Sequence, residues 1–212
     1  MKKTAKRAAG RPSSSEAPGV TSAILRAAAK SFQADGFSGT TMRKVAQLSK
    51  VTPQTLYARF ADKTALYEAL MVARTDELLE NASMIFEDSA GPDQVLHAFG
   101  EHIVSTFLNS EIQRLHQLVI GEAKAFPGLA KIFYEKGPSR NRKLLQDYLA
   151  RQVKVGTLKI ARVDLAGEQL VGSLLGGVIS RSTLSQDQML KGPAEIVVWV
   201  SYAVGAFLRA YR

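Results

Sequence analysis

Between Thr52 and Phe60 an amide, a hydroxyl, a phenol and a guanidinium follow one another closely: Gln54, Thr55, Tyr57 and Arg59, with the small Ala58 among them. Such side chains can donate to and accept from base edges and phosphate oxygens. Thr52 is a candidate N-cap with Pro53 at the first helical position, so unpaired N–H groups at this helix start would face an anion as well. A second short helical stretch, Thr41–Ser49, precedes it after about three residues, the size and spacing of a helix-turn-helix. Val45 and Leu48 on the first helix are expected to meet Leu56 and Phe60 on the second. That packing turns Gln54, Thr55, Tyr57, Ala58 and Arg59 outward.

Residues that could support catalysis are sparse. His97, Glu101 and His102 lie close in sequence, but on a helix the two histidines sit about 140° apart and do not converge on one metal. His116 stands alone, and Gly172-Ser173-Leu174-Leu175-Gly176 lies in an apolar helical stretch where it reads as a packing motif. Neither a nucleophile elbow nor a phosphate loop is present. The expectation is a protein without enzyme activity, cofactor or metal.

The charge is unevenly placed. Residues 1–63 hold twelve Lys or Arg against three acids, a net +9, while the remainder carries sixteen of each. A basic module joined to a neutral one suits a chain of which one part meets a polyanion. With 46% hydrophobic and 22% charged residues the composition is that of a globular protein,. The absence of cysteine fits a reducing compartment, and the cytoplasm is the expected location,. Residues 1–19 precede no apolar signal core, and the uncharged stretch Ile196–Leu208 is too short to span a bilayer, so no membrane partner is expected,.

Helices are needed to position these groups, and the pattern supplies them. Residues 1–19, with Lys2, Lys3, Lys6, Arg7 and Arg11, read as a flexible basic arm,. From Thr21, Ile24, Ala28 and Phe32 recur at four-residue spacing until Gly36,. After the two short helices, a long amphipathic one follows Asp62, with Leu66, Leu70, Ala73, Leu78, Ala82 and Ile85 on one face,. Further helices are predicted from Pro92 to about Asn109, Glu111 to about Lys124, Pro127 to Lys136, Pro138 to about Val155, Val163 to about Leu184, and Pro193 to Arg212,. The fold class is all-α with about nine helices: an N-terminal three-helix domain containing the helix-turn-helix (20–62) and a C-terminal helical bundle (63–212) for ligand binding and dimerisation.

The run GFSGTTMRKVAQLSKVTPQTLYARFADKTALYEAL, residues 36–70, resembles the N-terminal domain of the TetR family of bacterial one-component regulators. Gly36–Phe37, Thr40–Thr41, Val45–Ala46, Val51, Thr55–Leu56–Tyr57, Phe60 and Lys63 all fall at that family's spacings. The resemblance implies that Thr41 contacts phosphate with Arg43 beside it, and that Gln54, Thr55, Ala58 and Arg59 occupy outward positions of the recognition helix. Tyr57 matches the aromatic that lies against the DNA backbone, and Lys63 the phosphate-binding lysine that opens the fourth helix. Lys50 departs from the pattern, since the family usually has glycine there. Either it adopts a left-handed turn at a cost of roughly 1 kcal/mol, or the turn differs locally. In both cases it adds a charge near the DNA.

Residues 118–138, LVIGEAKAFPGLAKIFYEKGP, are similar to the corresponding stretch of regulators associated with multidrug efflux operons. Phe99, Ile103, Phe107, His116 and Phe133 are the candidate pocket residues for an unidentified effector, with plain helix packing as the competing reading. Gly172, Gly176, Trp199, Tyr202 and Phe207 are expected at a homodimer interface, where small residues let helices approach closely. The sequence thus points to a repressor released from a pseudo-palindromic DNA operator by a small apolar or amphipathic molecule. The alternatives are a DNA-coating protein without effector and an enzyme with an appended DNA-binding domain.

Overall fold

The computed structural model describes residues 17–87, 90–184 and 189–212. The basic arm lies outside them, except that α1 (Ala17–Gly39) begins within its expected last residues. The chain divides into two compact units, residues 1–66 and 67–212.

In the first unit, α1 buries the predicted stripe of Ile24, Ala28 and Phe32 completely. It kinks at Gly36, where φ is 72° and ψ 177°, a backbone turn that a Cβ would oppose,. α2 (Met42–Leu48) and α3 (Pro53–Tyr57) follow. Each opens on a threonine: Thr41 accepts from the Lys44 N–H at 3.2 Å and Thr52 from the Thr55 N–H at 3.1 Å,.

Two expectations are corrected here. Leu48 does not join the core but is 49% exposed, while Met42, Val45, Ala46, Leu56 and Phe60 are buried. At about 100° per residue, Met42, Val45 and Ala46 share one face, and Leu48 falls about 60° beyond its edge. The second helix also ends at Tyr57 instead of Phe60. The Arg59 N–H bonds three residues back to Leu56 at 3.0 Å, so Ala58 and Arg59 sit in a closing turn,.

Lys50 settles the question its sequence left open, because its φ is 56°. The Val51 N–H reaches the Ala46 carbonyl at 3.0 Å and the Lys50 N–H reaches Gln47 at 3.2 Å. These are the paired bonds of a Schellman motif, with lysine at the position that favours glycine.

The second unit is built from the rest of α4 (Lys63–Glu87) with α5 (Pro92–Leu108), α6 (Ser110–Glu122), α7 (Pro127–Lys136), α8 (Pro138–Lys154), α9 (Val163–Leu184) and α10 (Pro193–Tyr211). The proline-opened helices start where the sequence predicts, and Asn109 caps α6 by accepting from the Glu111 N–H at 2.9 Å,. Phe86, Phe99 and Tyr148 form the aromatic centre of its core, with ring centroids 5.0 and 5.2 Å from Phe86. Around them pack buried residues of α5, α8, α9 and α10. Ion pairs tie α4 to three helices: Arg74 to Glu111 at 2.7 Å, Glu68 to Lys136 at 2.8 Å and Asp76 to Arg140 at 2.8 Å. Exposed pairs of this kind contribute little each, about 0–1 kcal/mol. α10 is longer than the apolar stretch suggested: its 19 residues meet the length and composition of a membrane-crossing helix. One face is nevertheless committed to the core through Val200, Val204, Phe207 and Leu208.

Where α5 crosses α10, a Cβ added at Gly100 would stand 2.6 Å from Val200 Cγ1, a fully buried β-branched side chain that cannot swing away. Gly100→Ala is therefore expected to destabilise by about 1–3 kcal/mol despite alanine's better helix propensity. An unchanged urea midpoint would contradict that close approach. Lys50→Gly should act in the opposite sense, raising stability by about 1 kcal/mol by relieving the left-handed lysine. A midpoint that falls would show that the lysine is not strained.

Candidate nucleic-acid interface

The two caps and the Schellman turn fix α2 and α3 so that one set of polar groups remains outside. Gln54, Tyr57, Ala58 and Arg59 are exposed, Tyr57 by 54%, and Leu56 between them is wholly buried. Thr41, Arg43, Lys50 and Thr52 are exposed as well. Thr55 is half-buried, and its hydroxyl lies 2.9 Å from that of Thr52, so it belongs to the cap as much as to the surface. The Arg59 guanidinium lies back along its own helix, donating to the Thr55 carbonyl at 3.4 Å. Asp62 instead accepts from the Ala65 N–H at 2.7 Å and opens α4.

Lys63 opens α4 as expected, and within the chain it meets the end of α1. Its ammonium turns inward, donating to the carbonyls of Phe37 at 2.5 Å, Thr40 at 2.9 Å and Ser38 at 3.3 Å. It also stands 4.5 Å from the Phe37 ring centroid,. Spacing placed Lys63 correctly at the start of its helix, but spacing says nothing of which way a flexible stem folds.

A polar network that the sequence reading missed lies beside it. Buried Ser31 and Thr40 put their hydroxyls 3.2 Å apart, and Thr40 donates to the Gly36 carbonyl at 2.8 Å. Asp35 accepts from Ser31 at 3.1 Å and from the Lys44 ammonium at 2.6 Å. That lysine bond holds the Asp35 carboxyl below the usual carboxylate range,. A serine on an otherwise apolar helix face was the available signal, since a buried hydroxyl demands a partner.

In the second unit the candidate pocket residues separate into two groups. Phe107, His116 and Phe133, from α5, α6 and α7, form a chain of rings with centroid spacings of 5.5 and 6.0 Å. Burial pushes the His116 imidazole below its ordinary pKa,. Phe99 and Ile103 lie in the buried core, with Phe99 against Phe86, and Phe107 belongs to that core as well as to the chain of rings. Two half-buried amides went unnoticed in the sequence: Gln113 Nε2 on α6 and Asn141 Oδ1 on α8 are shielded and have no hydrogen-bond partner. The histidines of α5 are engaged separately, His97 with the Asp93 carbonyl at 2.7 Å and His102 with the Leu78 carbonyl at 3.1 Å.

The expected dimer residues divide likewise. Gly172 and Gly176 are exposed, and a Cβ on either would meet nothing within 4 Å. Tyr202 is 78% and Val198 58% exposed, beside a surface hollow of about 610 Å³ whose lining includes Leu190, Ala194 and Trp199. The Trp199 indole itself donates to the Leu174 carbonyl at 2.8 Å within the chain. Phe207 is a correction: it is 6% exposed and packs 4.7 Å from the Tyr211 ring, because it falls on the core side of α10 with Val200 and Val204.

Comparison with known proteins agrees with this architecture. The family model of bacterial regulatory proteins of the tetR family matches residues 24–70, and that of the AefR-like transcriptional repressor C-terminal domain matches residues 94–212. The uncharacterized HTH-type transcriptional regulator YhgD of Bacillus subtilis (strain 168) is 32% identical over 97 residues, covering 46% of this chain and 48% of that protein. The match thus spans about half the length of that relative. A TetR-family regulator of Mesorhizobium loti MAFF303099 superposes with a TM-score of 0.81 at 22% identity, over 92% of this chain and 97% of that one. The flavonoid-responsive regulator FrrA gives 0.75 at 25% identity, over 92% and 98%. FadR of Bacillus subtilis, solved with stearoyl-CoA, gives 0.71 at 16% identity, over 88% and 97%. With a helix-turn-helix of this geometry and family matches over both of its parts, the chain belongs to the TetR family of DNA-binding transcriptional regulators.

Proposed function

We propose that this protein is a repressor that binds a pseudo-palindromic operator as a homodimer and is released from it by a small apolar or amphipathic molecule. The observation that carries the reading is the outward set Gln54, Tyr57, Ala58 and Arg59 on a helix held from behind by buried Leu56. Thr41, Arg43, Lys50 and Thr52 add phosphate-facing groups, with Thr55 shared between cap and surface. Residues 20–62 form the DNA-binding domain in this reading, residues 1–19 its basic arm, and 63–212 the effector and dimerisation domain. It acts in the cytoplasm and performs no catalysis.

Effector binding is supported by the shielded, unpartnered amides of Gln113 and Asn141, since such groups are rare without a reason,. They are candidate polar contacts for the molecule, and Phe107, His116 and Phe133 candidate apolar ones. The structural neighbours FrrA and FadR, described as flavonoid-responsive and solved with stearoyl-CoA, lend the same support. The dimer is assigned to the outer faces of α9 and α10, where Gly172 and Gly176 leave room for a close partner and Val198 and Tyr202 offer apolar area,.

Selection from a random duplex library with the full-length protein tests the reading directly, and a symmetric enriched site is the expected outcome. Arg59→Ala should then lose about 1–3 kcal/mol of binding to that site and relax the preference at one base pair. Equal affinity and equal preference would remove Arg59 from the interface. Gly176→Arg separates dimerisation from folding, because the new side chain meets open space in its own chain. We expect a protein that keeps its helical circular dichroism and unfolds cooperatively, at a midpoint lowered by what association contributed, but sediments as a monomer. A dimer that persists would place the interface elsewhere.

A further inference from the structure

We propose that the effector of this protein is an amphipathic acid, its anionic group bound by the Arg74 guanidinium and the Gln113 amide while its apolar body lies against Phe107, His116 and Phe133. The inference rests on the effector reading above and deepens it, and all of its residues belong to the second unit.

Contacts between helices fix the surroundings of Arg74 on α4. Its guanidinium meets Glu111, in the first turn of α6, at 2.7 Å. The next two residues of α4 meet the start of α8: a Cβ at Gly137 would stand 3.4 Å from Thr75 Cγ2, and Asp76 pairs with Arg140 at 2.8 Å. Asn141 directly follows Arg140 and shares a face of α8 with buried Leu145 and Tyr148, so it points into the bundle,. Gln113 is two residues from Glu111 and one turn before His116, whose ring links Phe107 of α5 to Phe133 of α7. Arg74, Gln113 and Asn141 thus each lie within one helical turn of contacts that connect α4, α6 and α8 to one another or to the ring chain.

The chemistry of their free atoms sets the ligand class. Arg74 Nε, Gln113 Nε2 and Asn141 Oδ1 are shielded and have no hydrogen-bond partner. Two of the three are N–H donors, one of them on a guanidinium, whereas among the described residues no shielded carboxylate oxygen is left without a partner. A cationic ligand would bring further donors to a place that already lacks acceptors, and an anion supplies them. The Nε and Nη2 sides of a guanidinium form a fork that matches the two oxygens of a carboxylate. Glu111 reaches only Nη2, so this fork is half used. An entering carboxylate takes both prongs and releases Glu111, which remains at the N-terminal turn of α6, where negative charge is favoured,. The exchange breaks the ion pair that ties α4 to α6, and through it the acid changes the restraint on α4.

Three probes of one shape test the class by calorimetric titration of the full-length protein near neutral pH: 2-naphthylacetate, 2-naphthylacetamide and 2-(2-naphthyl)ethylamine. The acetate is expected to bind about tenfold more tightly than the amide, with the amine weakest. Arg74→Met brings acetate affinity down to that of the amide, whose own affinity stays near the parent's. Arg74→Lys keeps the charge without the fork and recovers only part of the loss. Glu111→Gln frees the fork, so the acetate binds more tightly than to the parent while the amide is unaffected.

Equal affinity for acetate and amide, or an amine that binds best, overturns the assignment. An acetate whose affinity survives Arg74→Met overturns it as well, and so does the failure of all three probes to bind at millimolar concentration. If Arg74→Met does not fold, Glu111→Gln decides alone, and acetate affinity no higher than the parent's sinks the proposal. Failure of the wider reading is separately visible with a duplex enriched by the parent protein from a random library. Arg74-dependent acetate binding that leaves affinity for this duplex unchanged upholds the acid site and removes its regulatory role. An amide or amine that releases the duplex where the acetate does not upholds an effector and overturns the acid.

Discussion

Helices of seven and five residues cannot hold their shape alone, since each is shorter than the length at which helix propagation outweighs nucleation,. The DNA-reading part of this protein consists of two such helices, so its geometry is imposed from outside. Buried Val45, Ala46 and Leu56 fix one side. Threonine caps satisfy the leading N–H groups of both, and the Schellman bonds around Lys50 satisfy the trailing carbonyls of α2. What is left without an internal role is a narrow set of side chains on one surface, and the confinement of everything else makes that surface definite.

The second unit solves the opposite problem. Its helices run from 10 to 22 residues and bury enough apolar area to persist, so its features arise from packing and not from caps,. Close crossing of α5 and α10 at Gly100 commits one face of α10 to the core. An apolar helix committed on one side only leaves the other to be covered, and the exposed Val198 and Tyr202 lie there. The Gln113 and Asn141 amides are among the shielded polar atoms that find no hydrogen-bond partner within the chain,.

Much of this architecture was legible in the sequence. Proline at the first helical position gave the starts of α3, α5, α7, α8 and α10, because its missing N–H costs nothing there,. The i, i+4 stripe of Ile24, Ala28 and Phe32 gave the buried face of α1. The misreadings have a common physical origin, since a pattern reports which face a residue occupies only as well as the helix axis and its partners are known. Leu48 is the last residue of a seven-residue helix and lies about 60° beyond its buried face, an offset too small for an apolar pattern of that length to resolve,. Phe207 lies on a helix apolar on nearly all sides, so hydrophobicity could not say which side met its own chain. The carbonyl contacts of Lys63 were illegible for a related reason, since they depend on where a chain segment more than twenty residues earlier arrives.

The same difficulty limits what net charge can say about DNA binding. Twelve cations fall within residues 1–63, and the electrostatic footprint of the region is read from that excess,. Counterion release, however, counts only the cations that meet phosphate. Lys44 is held by Asp35, and Lys63 by three carbonyls of the α1–α2 corner. Both are paired with groups of α1, although Lys44 stays exposed, whereas Arg43 and Lys50 are exposed on the element and Arg59 lies back along its own helix. Charge in this region is therefore divided between cations paired with groups of α1 and cations left exposed. Sequence spacing cannot make that division, because it is set by where the carbonyls and carboxylates of α1 end.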